Sequence, residues 1–158
     1  MYIDHFDALK TLIETHLTTV KKVDWYNRQY ERYQDLKAEP LPAVYIEFPR
    51  PVNWKTAGNK LQLADVVIRL HVVMFSLEDK PVQSLSLAKQ VDALLNAKPL
   101  RQNNLYLSTA LVRNESDLIT EYDQLKVMVL GYATTLHDAS LVPQLVPTNP
   151  QFVVKERT

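Results

Sequence analysis

The sequence predicts an α+β fold: a mainly antiparallel sheet of four strands, or five if residues 23–26 join it, with two helices packed on one face and long protruding strands. Three observations lead there. Two stretches carry apolar residues at three- and four-residue spacing, the period of an amphipathic helix. Two others, 61–75 (LQLADVVIRLHVVMF) and 122–136 (YDQLKVMVLGYATTL), alternate instead, each for about fifteen residues and some 50 Å at ~3.3 Å per residue. Short connections between neighbouring strand-like runs imply an antiparallel meander. Ordinary strands run to roughly 5–6 residues, so ribbons of this length are expected to outrun their core and offer an edge to another chain.

The elements follow in order. Asp4 caps a helix reaching about Val20, with the stripe Phe6, Leu9, Leu12, Ile13, Leu17 and Val20, and Lys21 and Lys22 favour its C-terminal dipole. Residues 23–26 read as a short strand. Tyr26, Tyr30 and Tyr33 then recur at helical spacing beside Trp25, Arg28 and Arg32, as either a short helix closing the sheet or an aromatic contact patch. Pro42 opens the strand AVYIEF, with Val44, Ile46 and Phe48 on one face and Tyr45 and Glu47 on the other; Pro49 and Pro51 end it. The turn-rich stretch 50–60 leads into the first long strand. Ala64, Val66, Ile68, Leu70, Val72 and Met74 form its apolar face, whereas the opposite face sets Asp65, Arg69 and His71 among Val67, Val73 and Phe75. Asp79 or Lys80, followed by Pro81, starts a second helix to about Ala97, with Val82, Leu85, Ala88, Val91, Leu94 and Leu95 as its stripe and Pro99 as its stop. A strand at 105–113, an acidic turn at 114–121 (NESDLITE) and the second long strand complete an α-β-β-α-β-β order. Residues 1–138 read as a single domain. Residues 139–158, with Pro143, Pro147 and Pro150, read as an extended C-terminal arm.

Composition narrows the function classes. Lys+Arg and Asp+Glu are 18 each, a balance that argues against a free-standing nucleic-acid binder. The absence of cysteine excludes disulfides, thiolate nucleophiles and Cys-type metal sites. Two glycines leave no phosphate-cradling loop. No apolar run approaches the ~20 residues of a membrane helix, and the amphipathic, acidic N-terminus is unlike a secretory leader. A soluble cytoplasmic protein is expected.

No enzyme signature emerges. His5, His16, His71 and His137 form no ligand pair at helical spacing. Asp65, Arg69 and His71 share a strand face, read as an acid–base or metal patch or, in preference, as a hydrated face or interface salt-bridge ladder. Glu115, Asp117, Glu121 and Asp123 lack the spacing and glycine of a calcium loop and read as a solvated hairpin tip. Arg50, Lys55 and Lys60 surround Trp54, which either meets a partner or packs on its own hairpin. The candidate partner-binding residues are therefore Arg50, Trp54, Lys55, Lys60, Glu115, Asp117 and Glu121. The candidate subunit interface is Val67, Arg69, His71 and Val73, and no catalytic residue, metal or cofactor is assigned.

The segments DWYN (Asp24–Asn27), LPAVYIEFP (41–49), a turn with tryptophan, VVIRLHVVMF (66–75) and a closing LGYATTLHD (130–138) together give this chain a recognisable order. Over residues 1–138 it resembles the small tail-terminator, or tail-completion, proteins (minor tail or neck proteins) of long-tailed bacteriophages and prophages. The resemblance implies a structural virion protein in the tail or neck, assembled in the bacterial cytoplasm. It implies a homo-oligomeric ring, typically hexameric, that caps the tail tube and faces the head-side connector. Its partners would be itself, tail-tube proteins and neck or connector proteins, with DNA only in passage through the lumen and no membrane. The alternative is a small host adaptor or regulatory protein-binding module without catalytic activity. An enzyme built on His71, Arg69 and Asp65 is the third reading.

Overall fold

A computed structural model describes residues 2–32, 40–75, 81–122 and 124–142, with only the backbone at 81–84. Its elements are α1 (Ile3–His16), β1 (Lys22–Trp25), β2 (Ala43–Glu47), β3 (Lys55–Thr56), β4 (Gln62–Phe75), α2 (Pro81–Leu95), β5 (Pro99–Gln102), β6 (Leu105–Ala110), β7 (Val112–Ile119) and β8 (Leu125–Asp138). The expected four- or five-stranded antiparallel sheet is thus corrected to an eight-stranded mixed sheet, ordered β1-β2-β4-β8-β6-β5, with β3 on β4 and β7 on β8. It is mixed because β1 and β2 run parallel, Lys22 opposite Ala43 through Trp25 opposite Ile46. The connection between them is long enough to return the chain to the starting end, as a parallel pair requires.

The long strands do not protrude. β4 and β8 pair along their whole length, from Gln62 opposite Asp138 to Phe75 opposite Leu125. β2 and β3 flank β4 on one side, and β6 and β7 flank β8 on the other. The two ribbons are the centre of the sheet rather than its edges, which accounts for their apolar content.

Three short strands escaped the sequence reading. β3 forms inside the 50–60 connection. β5 begins at Pro99, where a missing N–H costs nothing because a strand's first residue need not donate to the ladder. The acidic stretch expected as a turn at 114–121 is largely strand β7, which ends at Ile119. The expected strand 105–113 accordingly breaks at Leu111. Its N–H donates to the Lys98 carbonyl and its own carbonyl accepts from the Ala97 N–H. That leaves the side chain fully buried beside α2 and offsets β6 from β7.

Both helices pack on the even-numbered face of β4, as the alternation predicted. Phe6, Leu9 and Ile13 of α1 and Leu87, Ala88, Val91 and Leu95 of α2 meet Ala64, Val66, Ile68, Leu70 and Val72, with Leu130, Tyr132 and Leu136 from β8. Each such aliphatic side chain contributes about 1.5–3 kcal/mol by burial. The helix boundaries differ from expectation. α1 stops at His16 rather than near Val20, and Asp4 lies in its first turn without capping it, so its favourable effect is on the helix dipole. α2 ends at Leu95, and its face is rotated so that Leu85 is exposed and Leu87 buried. Asp79, Lys80, Tyr33, Asp123 and the arm beyond 142 lie outside the described residues. No helix among the described residues is long and apolar enough to cross a membrane.

Candidate functional site

The odd-numbered face of the sheet divides into a covered half and an open half. Residues 26–32 and 40–42 fold back over the first. There Tyr30, Leu41, Ala43, Tyr45, Val73, Leu125, Val127 and Val129 make a second core, joined at its margin by Tyr26, Phe75, Ile119 and Tyr122. Two proposed interface residues, Val73 at 0% exposure and His71 at 4%, sit inside it. They are covered by the chain itself.

His71 is held on three sides. Its ring stacks on Tyr26 with centroids 4.0 Å apart. The Tyr30 hydroxyl donates to Nδ1 at 2.9 Å, which leaves Nε2–H to donate to Glu47 Oε2 at 2.9 Å. Tyr26 in turn donates to Glu31 at 2.7 Å. Burial lowers the His71 pKa from its ordinary value, against the opposing pull of Glu47. Burial likewise raises the Tyr26 and Tyr30 phenols, so neither is available as a phenolate base. The cluster is a hydrogen-bonded network around a neutral imidazole that locks residues 26–32 onto the sheet.

At the boundary between the halves, Arg69 Nε and Nη2 reach the Glu115 carboxylate at 2.8 and 3.2 Å. Both are opposite Gly131, one from each side, and the missing side chain there leaves the space the pair crosses. A Cβ at Gly131 would lie 2.8 Å from both Cβ and Oε2 of Glu115. Glu115 is held below the usual carboxylate range by its hydrogen bonds from Arg69.

The open half is a shallow depression of about 520 Å³ whose floor includes Asp65, Val67, Thr109, Val112, Ala133 and Thr135. Its residues are small and weakly polar, and Val112 is 56% exposed. Asp65 accepts from the Thr135 hydroxyl at 2.6 Å. The structure therefore does not bring Asp65, Arg69 and His71 into one site; each is engaged by a different partner. Among the described residues, no group of three His, Asp or Glu could hold a metal ion.

The remaining candidates lie at the sheet margins. Arg50, Lys55 and Lys60 are exposed, as are Asp117 and Glu121. Trp54 is half-buried against the helix-side core, its ring 6.1 Å from that of His5. Sequence reasoning missed the roles of His5, Glu47 and Gly131. His5 is buried in α1, and its Nε2 lies 2.9 Å from the Leu107 carbonyl and 3.0 Å from that of His137, tying the helix to β6 and β8. Only its position one residue before Phe6 on the apolar stripe hinted at this.

No protein-family model and no curated protein matches the chain. Among solved structures, it is similar to a chain from the virion of a native gene transfer agent particle, at 14% identity and a TM-score of 0.44, over 82% of this chain and 84% of that one. A second solved chain aligns at 18% identity and a TM-score of 0.42, over 81% of this chain and 94% of that one. Likeness at this level assigns neither a family nor a function.

Proposed function

We propose that this chain is a structural, non-catalytic protein of a phage-type virion, and within it a tail terminator or head–tail joining component that caps the tail tube as a ring. The observation that supports the reading is the unequal treatment of the sheet. One half of its outer face is covered and hydrogen-bonded, while the half around Val67, Val112 and Ala133 is left open beside the exposed edge strand β7. A surface of small, weakly polar side chains suits contact with another protein, and it offers no nucleophile with a base and an orienting group. A closed ring needs two different, complementary surfaces on each subunit, and the two sides of this sheet differ in both strand content and charge. The resemblance over residues 1–138 supports the finer role, with tail-tube and connector proteins as partners and DNA only in passage. Zero formal net charge suits a lumen that DNA must cross without sticking.

The test is to add the purified protein to polymerising tail-tube protein from the same phage or prophage and to measure tube length by electron microscopy. Capping predicts shorter tubes bearing a ring at one end. Tubes of unchanged length with bare ends would overturn the assignment.

A further inference from the structure

The charges without an ion pair among the described residues at β7 and along the 50–60 stretch are of opposite sign. On the β8 side, β7 pairs only with β8, and seven of its eight residues are exposed. Among the described residues its far side has no ladder partner, although the Arg113 N–H donates to Asn96 Oδ1 at 3.1 Å, and an edge of this kind is a template for another chain. Two of its charges are satisfied internally, Glu115 by Arg69 and Arg113 by Asp92. Asp117, and Glu121 just beyond the strand, make no ion pair among the described residues. Val112 and Leu118, at 56% and 44% exposure, add apolar surface.

On the β4 side, β3 pairs only with β4, and both of its residues are exposed. Arg50, Lys55 and Lys60 project from this margin, likewise without an ion pair among the described residues. Half-buried Val52 and Trp54 lie between them. Two central strands, β4 and β8, separate the acidic margin from the basic one.

We infer that the acidic β7 edge of one copy docks head to tail on the basic 50–60 margin of a second copy. The inference rests on the self-assembling ring reading and names its contact. A two-fold contact of β7 with β7 would bring together two margins that each carry Asp117 and Glu121, and a two-fold contact of the 50–60 margins would do the same for Arg50, Lys55 and Lys60. The heterologous pairing sets the acidic charges against the basic ones, and it is the kind that closes rings. The stretches 50–60 and 114–121, whose residues read from sequence as partner-binding, then supply the two halves of one subunit interface.

The test uses two charge-reversed proteins, Asp117→Lys/Glu121→Lys and Lys55→Glu/Lys60→Glu, with folding of each checked by thermal melting. Each alone is expected to self-associate at least about tenfold more weakly than wild type, because the reversal sets like charges against each other across the contact. An equimolar mixture restores association, since every contact in an alternating ring is again complementary. In parallel, carbodiimide treatment of mixed isotopically light and heavy wild-type copies is expected to link Lys55 or Lys60 of one copy to Asp117 or Glu121 of another. This arm decides the matter even if a variant fails to fold. Wild-type association that survives both reversals, or cross-links that fall elsewhere, overturns this contact and leaves self-assembly standing. Folded variants that fail singly and are not rescued by mixing overturn the head-to-tail pairing. A wild-type chain that stays monomeric to its solubility limit and yields no inter-copy cross-link overturns the contact and the self-assembly reading together.

Discussion

Gly131→Ala tests whether the crossing of the sheet by Arg69 and Glu115 depends on the bare backbone beneath it. The new Cβ would sit 2.8 Å from Glu115 Cβ and Oε2 and 3.2 Å from its Cδ. Moving the carboxylate end alone does not relieve the Cβ–Cβ approach, so β7 itself must shift. Overpacking of this kind costs about 1–3 kcal/mol. The broken ion pair adds little, about 0.2–1 kcal/mol, because both partners are substantially exposed, at 40% and 42%. The expected destabilisation is about 1–3 kcal/mol, read from urea or thermal unfolding. In a Glu115→Gly background, which removes the opposing Cβ, adding Gly131→Ala is expected to cost almost nothing. The difference between backgrounds isolates the clash. If Gly131→Ala is neutral in the wild-type background, β7 yields freely and the glycine is not required for the crossing.

Three further outcomes follow from the same structure. Val67→Glu, on the open half, leaves the subunit folded and weakens self-association. Val73→Glu, on the same strand face but under the covering from residues 26–32 and 40–42, unfolds it, because an unpaired buried carboxylate costs several kcal/mol against a total stability of ~5–15; melting and light scattering separate the two. Stability falls on acidification through the contributions of His5 and His71. Burial lowers both pKa values in the fold, so between the unfolded value of about 6.5 and the lower folded values the unfolded chain binds more protons. Their contribution is therefore fully present above about pH 6.5 and is lost as pH drops toward the folded pKa values. A His5→Gln/His71→Gln variant is expected to flatten that slope in unfolding midpoints measured across the range. Arg113→Ala, which removes the partner of Asp92 from β7, costs no more than about 1 kcal/mol, because the Tyr132 hydroxyl still donates to Asp92 at 3.1 Å.

Much of the inner architecture was legible because alternation reports burial directly. Ala64, Val66, Ile68, Leu70 and Val72 face the helices as their spacing required. The same logic misread β7. An edge strand exposed on nearly all positions has no apolar period, so NESDLITE (114–121) reads as a charged turn. It also misjudged the long strands, since local pattern gives the length of a ribbon but not the number of strands that flank it. The His71 network was invisible for a different reason. Its partners Tyr30 and Glu47 lie 41 and 24 residues away in sequence, and only the folding back of residues 26–32 and the pairing of β2 with β4 bring them together. Likewise, nothing local to Gly131 announces that two side chains from different strands meet above it.

The most direct test of the central claim is the mass of the assembled protein in solution, by light scattering coupled to size exclusion over a range of concentration and salt, with the largest species imaged by electron microscopy. The account predicts a closed ring of fixed stoichiometry, six by the resemblance, that loosens as salt rises and its charged contacts are screened. A dimer whose mass is independent of both concentration and salt would contradict it.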